Sequence, residues 1–161
     1  MHNRSLRIEV LNQKLMCMDD GHPARTYPVS TGLAGSGEQI GSGCTPRGKH
    51  QIRLKIGEGC PLETVFVGRR PTGEVYNSAL AERSPGRDWV LTRILWLTGL
   101  ESGVNRGGEV DTLRRYIYIH GTPEEHLIGQ PVSHGCIRMR SRDLIELFDW
   151  TFNGMPVEIV D

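Results

Sequence analysis

Ser133-His134-Gly135-Cys136-Ile137-Arg138-Met139, with His120 ahead of it in Tyr118-Ile119-His120-Gly121-Thr122, is the stretch from which the rest of this chain is read. The spacing H-x12-S-H-G-C sets one small nucleophile within chain-reach of two imidazoles. A thiol attacks only as its thiolate, so a reactive cysteine needs a base. Histidine takes a proton near neutral pH. A cysteine paired with an oriented histidine is sufficient for nucleophilic catalysis, with no third carboxylate required.

His120 and His134 compete for the role of base. His134 stands two residues before Cys136, and in an extended segment those two share a face. His120 comes from a separate apolar run, residues 115–120, and its neighbour Gly121 offers a bare carbonyl to hold one ring nitrogen and fix the tautomer. Gly135 removes bulk beside the sulfur. The backbone N–H groups of Gly135 and Cys136 are therefore expected to face a developing oxyanion, an effect worth about 3 kcal/mol per donor. Arg138 is expected either to bind a substrate carboxylate or to pair with an acid. Ser133 is expected to orient His134 or line the groove. Tyr116, Tyr118 and Trp96 either pack in the core or wall the site.

Around this stretch the chain reads as short strands punctuated by 20 glycines and 9 prolines. Residues 6–11, 13–18, 26–31, 50–56, 64–67, 89–97, 115–120 and 156–160 carry strand patterns. Residues 69–88 are polar and turn-rich, which predicts a long surface loop. One segment is helical by pattern: Ser141 as cap, Leu144, Leu147 and Phe148 on one face, and Asn153-Gly154 to stop it. The expected fold is mainly β, a β-rich α+β domain built as a sandwich or open barrel with one helix in the C-terminal half. Its 161 residues suit one domain, residues 1–161, with a core that needs no disulfide staples.

Composition narrows the function. Nineteen basic residues balance 19 acidic ones, so nothing electrostatic points to nucleic acid. No apolar run reaches membrane-spanning length. The first residues lack the apolar core of a secretion signal, which predicts a cytoplasmic protein, or a periplasmic one if a leader has been removed. Cys17, Cys44, Cys60 and Cys136 show no C-x-x-C spacing, and H-x5-H-x7-H-x-C over His120, His126, His134 and Cys136 fits no metal pattern. Neither a metal nor a cofactor is expected. Of the basic residues 16 are arginine, whose planar fork matches carboxylates, though genome composition explains such a bias equally well.

His120-Gly121-Thr122 together with the run from Ile128 to Met139 resembles the YkuD family, the L,D-transpeptidase catalytic domain. Tyr27-Pro28-Val29-Ser30-Thr31-Gly32 and Thr45-Pro46-Arg47-Gly48 resemble further motifs of that family. The resemblance covers nearly the whole chain and is weakest over residues 69–110. It implies a β-sandwich of mixed sheets and cysteine acyl transfer on murein stem peptides. It implies Cys136 as nucleophile, His120 as base, Gly121 as its orienting carbonyl, and His134 and Gly135 as residues that shape the site. Arg138, Ser133, Tyr118 and Trp96 are the expected substrate contacts. The reading favoured is an L,D-carboxypeptidase that trims murein tetrapeptides to tripeptides in cytoplasmic recycling. An exported L,D-transpeptidase forming 3-3 crosslinks and a non-catalytic murein-binding module are the alternatives.

Overall fold

The N-terminal hairpin sets the pattern for the whole sheet. Strands β1 (Arg4–Glu9) and β2 (Lys14–Asp19) pair antiparallel, with Leu6 opposite Cys17 and Ile8 opposite Leu15. The four side chains alternate with polar ones and are buried together, as strand periodicity requires. A computed structural model describes residues 3–161. Its further strands are β3 (His22–Pro28), β4 (Gly48–Ile56), β5 (Thr64–Val67), β6 (Arg70–Val75), β7 (Val90–Gly99), β8 (Tyr118–Gly121), β9 (Ile137–Met139) and β10 (Pro156–Val160). Two helices, α1 (Ser78–Arg83) and α2 (Ser141–Trp150), complete the set with two short 3-10 turns.

The strands form one mixed sheet rather than two separate sheets. Its order is β3-β2-β1-β10-β4-β7-β5-β6, and β8 pairs with the other edge of β7 and in parallel with β9. The sheet then curls back on itself. Ser30, just past β3, exchanges two backbone hydrogen bonds of 2.9 and 2.8 Å with Arg138 on β9. The enclosed core takes Leu6, Ile8, Leu95, Ile119, Ile137 and Ile159 from the strands. Leu144, Leu147 and Phe148 of α2 complete it. Cys17 lies fully buried within it, and burial pushes its thiol up to about 11.

Three local expectations change. Residues 69–88 are not one loop: they hold β6, which pairs with β5, and the six-residue α1. Ser141 is the first residue of α2 rather than its cap. Its N–H is bonded by Glu125 Oε2 at 2.7 Å, and its hydroxyl lies 2.7 Å from Thr92 Oγ1. The run 115–120 turns at its start, and only Tyr118–Gly121 is strand. Among the described residues no helix is long and apolar enough to cross a membrane.

Strand β7 is the hub, and it is bulged where it matters. Its register against β8 shifts between Leu91 and Ile94, and Thr92 there takes φ +78°. Such a conformation costs a β-branched residue about 1–3 kcal/mol. Thr92 is fully buried and held by its hydroxyl, which accepts the Glu63 N–H at 3.1 Å. The bulge carries Leu91 O and Thr92 Oγ1 up to Gly121: a Cβ there would lie 2.7 and 3.2 Å from them. Glycine next to His120 is therefore a packing requirement.

His50 on β4 is fully buried, with Nδ1–H donating to Gly48 O at 3.0 Å and Nε2 accepting from Thr112 Oγ1 at 2.9 Å. Burial pushes its pKa down to about 4, only partly opposed by the Gly48 carbonyl. The unfolded chain takes a proton near pH 6.5 that the folded site refuses. Stability is thus complete above pH 6.5 and falls as pH drops toward 4, by about 1.4 kcal/mol per unit for this one group. Urea unfolding of the wild type and His50→Gln at several pH values between 4 and 7 is expected to show a slope shallower by one proton in the variant.

Candidate active site

The site follows from the parallel pairing of β8 with β9. His120 stands opposite Arg138 and Ile119 opposite Ile137. Side chains two apart share a face, so Tyr118 and His120 of β8 lie beside Cys136 and Arg138 of the neighbouring chain segment. All four line one cavity of about 170 Å³, together with Asp88 and His134.

His120 is buried, and its Nδ1 lies 2.7 Å from Gly121 O. A carbonyl only accepts, so Nδ1 carries the proton and Nε2 is left as the acceptor. Burial pushes the imidazole pKa down to about 4; the Gly121 carbonyl opposes this, Arg138 adds to it and Asp88 opposes it. Cys136 sits at the end of a tight turn. Its Sγ accepts the Tyr118 N–H at 3.3 Å and donates to Tyr116 O at 3.3 Å. Burial pushes the thiol up to about 11; the Tyr118 N–H and the guanidinium groups of Arg138 and Arg115 oppose this, and Asp88 adds to it. The resting pair is neutral thiol and neutral imidazole. The sulfur's hydrogen bonds go to the Tyr116–Tyr118 backbone and not to His120.

The turn itself is clamped from three sides. Ser133 Oγ donates to Cys136 O at 2.6 Å and accepts from the Gly135 N–H at 3.1 Å. Thr45 Oγ1 donates to Gly135 O and accepts from the Gly32 N–H, both at 2.9 Å. Ser133 also pairs through its backbone with Thr31 and Leu33. Gly135 takes φ +122°, and a Cβ there would come within 3.0 Å of Cys44 O. Thr45 of the motif Thr45-Pro46-Arg47-Gly48 thus supports the turn that carries Cys136.

Several expected roles shift. The Gly135 N–H is taken by Ser133, which leaves the Cys136 N–H of the two groups expected to face an oxyanion. Ser133 is buried, lines the cavity and holds the turn, with no hydrogen bond to the His134 ring. The chain at 134–136 is bent rather than extended, so His134 does not share a face with Cys136; it stands exposed at the cavity rim. Arg138 is mostly buried between two acids, 3.6 Å from Glu124 and 3.8 Å from Asp88. Trp96 does not line the cavity: it donates to Leu113 O at 3.1 Å and packs edge-on behind Tyr118. Tyr118 does line it, and its hydroxyl accepts from Arg69 at 3.0 Å.

Sequence reasoning missed Asp88 and Arg69, both from the stretch read as a loop. Arg69 lies at the β5–β6 hairpin tip with its guanidinium 4.7 Å from the Tyr116 ring and 5.0 Å from Trp96. The hairpin therefore braces the same Tyr116–Tyr118 segment that cradles the sulfur. A separate cavity of about 380 Å³ lies across β1 and β10 and holds none of these residues. Among the described residues no three His, Cys, Asp or Glu side chains converge as metal ligands.

Comparison with known families gives a match to YkuD, the L,D-transpeptidase catalytic domain, over residues 3–159. The chain belongs to this family. The YkuD protein of Bacillus subtilis (strain 168) is 33% identical over 94 residues, 58% of this chain and 47% of that protein. Its Bacillus licheniformis counterpart is 46% identical over 46 residues, 29% of this chain and 28% of that protein. L,D-transpeptidase 3 from Mycobacterium tuberculosis, solved with a faropenem-derived adduct, shares the fold at a TM-score of 0.60 and 18% identity. That match covers 99% of this chain and 61% of the solved one. The chain thus spans less than half the length of the curated relatives it matches and about three-fifths of this solved chain.

The neutral resting pair has a direct chemical consequence. Iodoacetamide alkylation of Cys136, followed by peptide mass spectrometry, is expected to run slower at pH 8 than that of a free thiol. It should still climb about tenfold per pH unit at pH 10, because the thiolate is what reacts. A plateau below pH 8 would mean a pre-formed thiolate–imidazolium pair.

Proposed function

We propose that this protein is a cysteine acyl-transfer enzyme acting on peptidoglycan stem tetrapeptides at the bond between the L-centre of diaminopimelate and D-alanine. The observation that carries the reading is the shared cavity of Cys136 and His120, with the His120 tautomer set by Gly121 O so that the free Nε2 is a proton acceptor. Membership of the YkuD family supports the substrate class.

The steps follow from these positions. The thiol turns from Tyr116 O toward His120 Nε2 when a carbonyl enters the cavity. Sulfur attacks as its proton passes to Nε2, and the Cys136 N–H faces the oxyanion. The imidazolium then protonates the leaving amine of D-alanine and a thioester remains. Transfer concerted with attack suits a pair that is neutral at rest, because a buried ion pair without substrate is costly. Water as acceptor yields a tripeptide, the L,D-carboxypeptidase reaction of murein recycling. An amine from a second stem yields a 3-3 crosslink. Both share this first half-reaction, and product masses identify the acceptor.

Incubation with a defined tetrapeptide is expected to release D-alanine and to leave a thioester mass on Cys136. Cys136→Ala should abolish both. His120→Ala is expected to lower turnover about 10²–10⁴-fold, the range for loss of a general base. Imipenem, present in one solved relative, is expected to add covalently to Cys136. Tetrapeptide that binds without any D-alanine or adduct would identify a murein-binding module instead.

A further inference from the structure

A second cavity, about 310 Å³, lies at the far end of β4 and β7 and gathers Arg53, Arg106 and Arg114 around it. None of the three is within 4 Å of a carboxylate among the described residues, whereas Arg7, Arg47, Arg87 and Arg138 all are. Asp111 also lines it, but both its oxygens are engaged by backbone, at 2.6 Å to the Gly107 N–H and 2.9 Å to the Arg114 N–H. Three arginines thus line one cavity with a single carboxylate, whose charge acts on Arg114 and Arg106 at longer range than an ion pair.

The arrangement is built rather than incidental. The β4–β7 register shifts between Ile52 and Leu54, leaving Arg53 as the extra residue of a bulge, a device that re-aims a side chain. The loop with Arg106 is anchored by fully buried Asn105, whose amide donates to Arg47 O and Lys49 O at 3.0 and 3.1 Å. Asp111 in turn ties Gly107 to Arg114. Shared lining residues relate the cavity to the site of Cys136. Arg114 lines both it and a neighbouring space of about 320 Å³ that ends at His134, and His134 borders the cavity of Cys136.

We infer that Arg53, Arg106 and Arg114 form an anion subsite for a phosphate or carboxylate group borne by the substrate at a distance from the scissile bond. Planar guanidinium forks suit both groups. The link to substrate rests on the acyl-transfer reading above; binding of the anion does not. Isothermal titration of inorganic pyrophosphate and of citrate at about 0.15 M salt tests the site, since screening at that salt suppresses diffuse attraction. The combined variant R53Q/R106Q/R114Q is expected to bind the tighter anion about tenfold more weakly. R70Q/R83Q/R142Q, with the same charge change on exposed arginines elsewhere, should keep wild-type affinity. Tighter pyrophosphate assigns phosphate and tighter citrate assigns carboxylate. No binding of either anion, or equal loss in both variants, overturns the subsite. Retained anion binding in a protein that forms no thioester would remove the acyl-transfer reading and leave the subsite standing.

Discussion

Two backbone hydrogen bonds between Ser30 and Arg138 hold the curled sheet shut, and the catalytic geometry hangs on them. They fix β9 between the segment after β3 and the edge of β8. The turn before β9 is then confined by Thr31, Leu33 and Thr45, and the register with β8 puts Cys136 level with Tyr118. Sequence-distant residues meet because a short three-residue strand has partners on both sides. The bulge in β7 adds the second constraint, pressing against Gly121 so that only a bare backbone fits beside His120.

Burial governs the electrostatics of the site. The same desolvation that raises the thiol lowers the imidazole, so neither group carries charge before substrate arrives. Arg138 and Asp88 act on the pair in opposite senses, and Arg138 is itself held between Asp88 and Glu124. Burial of this kind strengthens any dipole aimed into the site. The protein's contribution is then position: one oriented acceptor nitrogen, one sulfur bonded to a backbone amide, and a turn held by Ser133 and Thr45.

Much of this was legible from residue pattern. Strands Thr64–Val67 and Pro156–Val160, the apolar face of α2, and the closeness of His120, Gly121 and Cys136 follow from alternation, helical spacing and the motif. What was hidden depends on tertiary placement. β6 is largely exposed, so it has no apolar alternation to betray it, and α1 buries only Leu80. Asp88 enters the cavity from a turn with no motif of its own. An aromatic such as Trp96 carries no mark of which side it shows to substrate. The Gly135 N–H was lost as a donor because a neighbouring hydroxyl, Ser133, reached it first.

The place of β10 has a bearing on how this molecule comes into being. It lies between β1, parallel to it, and β4, antiparallel to it, so the first three strands touch the remainder of the sheet across residues 156–160. A ribosome must deliver those residues before the sheet is complete on that side. Contacts spanning some 150 positions make such assembly slow, and the nascent N-terminal hairpin keeps an open edge until then.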